Sequence, residues 1–127
     1  MKKISTILIC IFLTISSNSF AEWTQLNKDM KGNTFYIDYD RIRKIDGYIY
    51  YWILTDYFKN QNGKLSFKVY KQGDCKLFRF KFLTFSFHQE AMGRGNGNTE
   101  KPIKKLQGWH YPTPNSNNEI ILRKVCN

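Results

Sequence analysis

Apolar side chains recur at every second position through much of this chain, and this alternation restricts its fold class more than any other feature. In residues 48–59, apolar or aromatic side chains fill both alternating sets of positions. One set is Ile49, Tyr51, Ile53 and Tyr57, and the other is Tyr48, Tyr50, Trp52 and Leu54. A period of two predicts a β-strand, because successive side chains point to opposite faces of a sheet. Such a strand is either central and covered on both sides, or its second face is a binding surface.

Other segments have the same alternation. Residues 35–39, 64–70 and 75–88 predict strands, and the last of these is the longest. Asp46-Gly47 and residues 60–63 predict turns between them. The apolar side chains of residues 75–88 change face part-way, so we expect a β-bulge or a bend near Phe82.

The alternation stops after residue 88. Residues 91–106 contain three glycines and a proline and predict an exposed, mobile loop, and residues 107–111 predict a short returning strand that carries Trp109. Ser116 and Glu119 have the spacing of a helix capping box, which predicts a helix from Asn117 to about Cys126. A final edge strand is the alternative. The expected fold class is therefore α+β, a small antiparallel sheet of about five to six strands with a C-terminal helix.

The N-terminal segment has the features of a secretory signal peptide. Lys2 and Lys3 precede an apolar run over residues 4–15, and the segment ends in Ser-Phe-Ala at residues 19–21. The alternative is an uncleaved anchor, but this run is shorter than the roughly 20 residues that a spanning helix needs. Cys10 lies inside the run and does not have the small preceding residues of a lipidation site. We therefore predict a signal peptide over residues 1–21 and one domain over residues 22–127, with no transmembrane segment in the mature protein.

Two cysteines remain in the predicted domain, Cys75 and Cys126. An even number of cysteines in a small exported chain predicts a disulfide, since the compartment is oxidising. Closing this loop would stabilise the fold by roughly 4 kcal/mol. Two free thiols are the alternative, and no Cys-x-x-Cys spacing indicates a catalytic pair. The bridge would tether the C-terminal helix to the sheet.

Basic residues provide the main indication of function. The chain has a formal net charge of +10, and several cations fall on two successive predicted strands. They are Lys64, Lys68, Lys71, Lys76, Arg79 and Lys81. If these strands pair, several of the cations converge on one sheet face and favour an anionic partner. A solvated face that keeps the protein soluble is the alternative, and export argues against nucleic acid.

The sequence gives little indication of an enzyme. His88 and His110 are the only imidazoles, whereas a metal site needs three or four ligands. No nucleophile-elbow sequence is present, and no helix is predicted directly after the glycines at 93, 95 and 97, as a phosphate-binding loop requires. We expect no catalytic residues, no metal and no cofactor.

The order and spacing of several short elements resemble the surface-adhesin protein E family over nearly all of residues 22–127. These elements are Phe35-Tyr36-Ile37-Asp38 with Ile42, the strand around Ser66, Cys75, Gly93-x-Gly95, Trp109, and a Pro-x-Ser before Cys126. The resemblance implies a small antiparallel sheet with a C-terminal helix held by a disulfide. It also implies adhesion, since the name-giving members are surface lipoproteins of Gram-negative bacteria that bind matrix glycoproteins such as vitronectin and laminin, and that can dimerise. This chain differs from them because it lacks a lipidation cysteine behind the signal peptide.

Two functional hypotheses follow. The first is an exported, non-enzymatic binding domain whose basic and aromatic sheet face engages an anionic envelope component or a host or matrix glycoprotein. The second is a periplasmic structural or accessory protein that docks to another cell-envelope component through exposed rings. The first predicts association that weakens as salt rises, and the second predicts association that is insensitive to salt.

Overall fold

The fold is an antiparallel sheet of seven strands with one C-terminal helix, and the computed structural model describes residues 22–127. The predicted signal peptide, residues 1–21, lies outside these described residues. The strands are β1 (Thr24–Lys28), β2 (Thr34–Ile37), β3 (Arg43–Ile45), β4 (Tyr48–Gln61), β5 (Lys64–Asp74), β6 (Arg79–His88) and β7 (Gly97–Glu100). They lie in the order β1-β2-β4-β5-β6-β7, and β3 pairs with β4 beside β2. The predicted α+β class is confirmed.

Two-residue turns set the register of the central hairpins. Ile45 pairs with Tyr48 and Gln61 with Lys64, so Asp46-Gly47 and Asn62-Gly63 form the loops. Both residues of each loop have positive φ. This turn conformation matches the right-handed twist of the two strands, and asparagine, aspartate and glycine adopt it most readily. The predicted turns are confirmed.

The expected β-bulge lies in β6, one residue after Phe82. Tyr70 of β5 pairs with Thr84, but the next residue, Lys71, pairs with Phe82. Leu83 is therefore an extra residue that shifts the alternation by one position. This shift places the rings at both ends of β6 on one face of the sheet; they are Phe80, Phe82, Phe85 and Phe87.

Strand β6 is shorter than the sequence suggests. Residues 75–78 form a turn rather than its first part, because Asp74 Oδ1 accepts a hydrogen bond from Leu77 N at 3.2 Å and Phe78 has a φ of 51°. The longest strand is β4, with 14 residues. The expectation of a single strand over residues 75–88 is wrong for this reason.

Three edge strands were not predicted from the sequence. β1, β3 and β7 have three to five residues each, and the side chains of β3 and β7 are all exposed. Exposed edge strands need no apolar alternation, so their sequences carry no periodic pattern. The expected loop over residues 91–106 thus contains a strand, and the expected strand over residues 107–111 is reduced to one bridge between His110 and Phe80.

Helix α1 (Asn117–Cys126) begins and ends as predicted. Ser116 Oγ accepts a hydrogen bond from Glu119 N at 3.2 Å, which satisfies one of the free N–H groups at a helix N-terminus. Cys126 at its other end forms the expected disulfide with Cys75. The helix is thereby tied to the turn after β5.

The helix defines the two faces of the sheet. Its Ile121, Leu122 and Val125 are buried in one core with Ile49 and Tyr51 of β4 and with other apolar residues of this side, which we call the helix face. The opposite side, which we call the open face, carries the other alternating set of β4 side chains. Among residues 22–127, no helix is both long and apolar enough to cross a membrane.

Candidate binding surface

Three of the six predicted basic residues lie on the open face. Lys68 is on β5, and Arg79 and Lys81 are on β6 before the bulge. The register pairs Lys81 with Gln72 and Arg79 with Asp74, and residues 68, 72 and 74 share one face of β5 because they differ by even numbers of positions. The bulge therefore brings the cations of the two strands to a common side.

The other three basic residues make different contacts, so the expected convergence on one face involves three of the six. Lys71 is on the helix face and is only 2% exposed. Lys76 is exposed in the turn after β5, and Lys64 Nζ lies 4.6 Å from the ring centre of Phe87. Odd and even positions of β5 point to opposite faces, so Lys68 and Lys71 cannot share one.

Arg79 and Lys81 converge on one indole ring. The guanidinium carbon of Arg79 lies 4.2 Å, and Lys81 Nζ 4.5 Å, from the ring centre of Trp109. The Tyr48 ring is 5.6 Å from the same indole. We call these four residues the basic-aromatic cluster. Each cation gains from the negative face of the ring, and the stacking limits the mobility of two long side chains.

A pair of backbone hydrogen bonds places Trp109. Phe80 N donates to His110 O at 2.9 Å, and His110 N donates to Phe80 O at 2.8 Å. His110 packs against Phe80 and Phe82 on the helix face, so the preceding residue, Trp109, projects to the open face. This contact between distant segments of the chain completes the cluster.

Asp74 fixes the guanidinium of Arg79. Its Oδ2 accepts from Arg79 Nε at 2.9 Å. Burial acts to raise the pKa of Asp74, but the hydrogen bonds from Arg79 and Leu77 outweigh it and hold the pKa below its ordinary value. This pairing engages Arg79 Nε, whereas Lys81 forms no ion pair within residues 22–127.

Further rings extend from the cluster across the open face. Tyr50 lies 6.1 Å and Trp52 lies 4.8 Å from Tyr70, measured between ring centres. All three are partly exposed. The open face of β4 is thus a half-covered aromatic surface, and β4 is not fully covered on both sides.

The glycine-containing segment covers the far end of the open face. Gly93 N donates to Ser66 Oγ at 2.8 Å, and Met92 N donates to Asp56 Oδ1 at 2.8 Å. A Cβ atom added at Gly93 would lie 3.2 Å from Lys68 Cδ. The backbone at Gly93 therefore lies close to the Lys68 side chain and partly covers it. Burial, together with the nearby charge of Arg41, lowers the pKa of Lys68. Lys68 is therefore a weaker candidate than Lys81 for contact with a partner.

Comparison with known proteins identifies the family. The sequence matches the family described as Surface-adhesin protein E over residues 23–127. The chain belongs to this family. A search of curated proteins gives no significant match.

Solved structures of protein E from Haemophilus influenzae are similar in fold to this family member. One has a TM-score of 0.62 and 18% identity and covers 84% of this chain and 85% of its own. Another, from non-typeable H. influenzae, has a TM-score of 0.58 and 16% identity and covers 87% of this chain and 78% of its own. The overall fold is thus common to chains of low identity.

The two histidines of this protein E-like domain lie apart. His88 is buried on the open face, where its Nε2 is 2.9 Å from Ser86 Oγ and its Nδ1 is 3.3 Å from Gly95 O. Burial, with the charge of Lys68, lowers the pKa of His88. His110 Nε2 lies 2.7 Å from Leu106 O. Residues 22–127 hold no group of three or more metal-ligating side chains.

Trp109 and Tyr48 were not among the residues predicted for the surface. Tyr48 belongs to the alternating set that the open face displays, so its orientation followed from the period of β4. The contact of Trp109 with β6 depends on a bridge across some thirty residues, and no local pattern encodes it.

Proposed function

We propose that this protein is an exported, non-enzymatic binding domain that engages an anionic partner, such as a host or matrix glycoprotein, through the basic-aromatic cluster. The observation that carries the proposal is the convergence of Arg79 and Lys81 on the Trp109 ring. Lys81 forms no ion pair in the described chain, so its ammonium donors are available to a partner. These donors suit sulfate or carboxylate oxygens.

The rings beside the cluster add a second kind of contact. Glycan rings present apolar C–H faces between polar groups, and the partly exposed rings of Tyr50, Trp52 and Tyr70 are flat apolar surfaces of similar size. A partner with anionic groups on a sugar or peptide scaffold would therefore use both the cations of the cluster and these rings. Without Lys2 and Lys3 of the predicted signal peptide, the net charge of +10 becomes +8. This charge would speed the encounter with such a partner and make it dependent on salt.

Charge reversal at Lys81 tests the surface. Charge reversal removes one attraction and adds one repulsion, and each has about the free energy of an exposed ion pair. We therefore expect Lys81→Glu to weaken binding to immobilised vitronectin or laminin by roughly 2- to 30-fold at low salt. Lys124→Glu is the matched control, because Lys124 is exposed on α1 at the helix face. Arg79 is less suitable, since its loss would leave buried Asp74 without its partner.

Two results would overturn the proposal. One is equal binding by Lys81→Glu and the wild type with the fold intact by circular dichroism. The other is association that does not weaken as salt rises, which would favour an accessory protein that docks through its rings.

Location needs its own test, because the chain lacks a lipidation cysteine. We propose export through the predicted signal peptide, and protease treatment of intact cells distinguishes the surface from the periplasm. Digestion of this protein, while a periplasmic control survives, supports contact with host glycoproteins. Protection until the outer membrane is permeabilised would direct the search to partners within the envelope. Homodimer formation stays a prediction that sedimentation of the purified domain would check.

A further inference from the structure

A groove on the helix face has no role in the surface described above. It has a volume of about 230 Å³ and lies between the sheet and the N-terminal part of α1. Most of its lining is apolar and comes from β2, β4, β5, β6 and the segment before Trp109. The lining includes Phe67, Phe82, Phe85, Leu106, Lys71 and Asn118.

Lys71 gives this apolar groove a single buried cation. Its side chain is in the lining although the residue is only 2% exposed. Nζ donates to Asn118 Oδ1 at 2.8 Å and lies 4.9 Å and 5.4 Å from the ring centres of Phe80 and Phe82. An ammonium has three donors, and Asn118 is its only hydrogen-bond acceptor in the described part of the chain.

No carboxylate compensates this charge. Among residues 22–127 the ion pairs are Arg41–Asp38, Arg79–Asp74 and Arg123–Glu119, and none includes Lys71. Glu119, on the adjoining helix, is already bound to Arg123 and to the backbone of Asn115. Burial of the unpaired ammonium lowers the pKa of Lys71 to about 7, and a bound anion would reverse that effect.

The N-terminus of α1 adds to the positive potential at this place. Asn118 is the second residue of the helix and lines the groove. Amide groups in the first turn of a helix carry partial positive charge and favour an anion nearby. Lys71 and the helix end thus act in the same direction within an otherwise apolar site.

We propose that this groove binds a small carboxylate with an apolar body, of the medium-chain fatty acid class, with the carboxylate at Lys71 Nζ and the chain among the phenylalanine rings. Size agrees with this assignment, since a cavity of about 150 Å³ holds benzene, and the groove is larger. Complementarity of charge selects an acid over an alcohol or an amine. The site lies on the face opposite the basic-aromatic cluster and is independent of the function proposed for that cluster.

Titration of the purified domain with octanoate, followed by amide NMR shifts, tests the site. We expect saturable shifts at groove residues of β5, β6 and α1, weaker binding of octanol, and no binding of octylammonium. Lys71→Met should weaken octanoate binding about 10- to 100-fold, the value of a hydrogen bond to a charged group. Lys68→Met, on the same strand and the opposite face, is the matched control and should bind as the wild type does.

Several results would refute the assignment. They are shifts confined to the open face, octanol binding as tightly as octanoate, and unchanged affinity in Lys71→Met. If Lys71→Met does not fold, the wild type still decides: isotope-filtered contacts between the octanoate methyl group and Phe85 or Leu106 support the site, and their absence at saturation overturns it.

Discussion

Removal of the bridge between Cys75 and Cys126 should cost this domain a large part of its stability. The two cysteines are 51 residues apart, and closing a loop of that length lowers the entropy of the unfolded chain by about 14 cal/mol/K, or about 4 kcal/mol at 25 °C. Domains of this size have unfolding free energies of about 5–15 kcal/mol. We therefore expect the double variant Cys75→Ala/Cys126→Ala to be folded but marginal.

The structure explains why the variant should still fold. Ile121 and Leu122 are at most 1% exposed, and Val125 is 6% exposed, so the helix keeps its apolar contacts with the sheet when the bridge is absent. Urea denaturation, followed by circular dichroism and by tryptophan fluorescence, measures the difference in unfolding free energy. Both probes should report one common transition at lower urea.

A packing variant separates the two sources of stability. Leu122→Ala, with the bridge intact, should cost about 3–5 kcal/mol through the cavity that it leaves. The bridge acts mainly on the unfolded chain and Leu122 on the native core, so their effects should add. A loss below about 1 kcal/mol on removing the bridge would refute the loop-closure reasoning. So would a helix that melts before the sheet.

Two further predictions concern the same face. Gly73→Ala should lower the unfolding free energy by about 1–3 kcal/mol, because its Cβ would lie 2.8 Å from Ile49 Cγ2; urea denaturation checks this, and an Ile49→Ala background should reduce the cost. For Lys71, burial lowers the pKa in the folded state to about 7 from the ordinary 10.5. Between these two pH values the unfolded chain binds more protons than the folded chain does. The unfolding free energy should therefore rise with pH, by up to about 1.4 kcal/mol per pH unit. Denaturation at several pH values should give a smaller slope for Lys71→Met, and an equal slope would contradict the reasoning.

Local sequence was sufficient for much of the framework. The alternation in residues 48–59 identified β4, and the pairs Asp46-Gly47 and Asn62-Gly63 identified the turns on either side of it. The capping box identified the start of α1. Each of these depends on contacts between residues close in the chain, where side-chain period and backbone preference are decisive.

The candidate surface was only partly predictable. Lys68 and Lys71 were grouped together as candidates, although a period of two places them on opposite faces. The period could not show which face the helix would cover. Only docking of Ile121 and Leu122 on the sheet buried Lys71 and left Lys68 on the open side. The short edge strands were missed because exposed side chains carry no alternation.

The sequence by itself determined the central strand-forming segments, the turns, the helix and, since two cysteines occur in residues 22–127, the disulfide pairing. The tertiary structure decided which side chains meet. A bulge at Leu83 shifted the alternation of β6, and the bridge between Phe80 and His110 brought Trp109 to Arg79 and Lys81. These contacts join distant segments, and their free energy comes from packing against the whole sheet, which no local pattern of residues specifies.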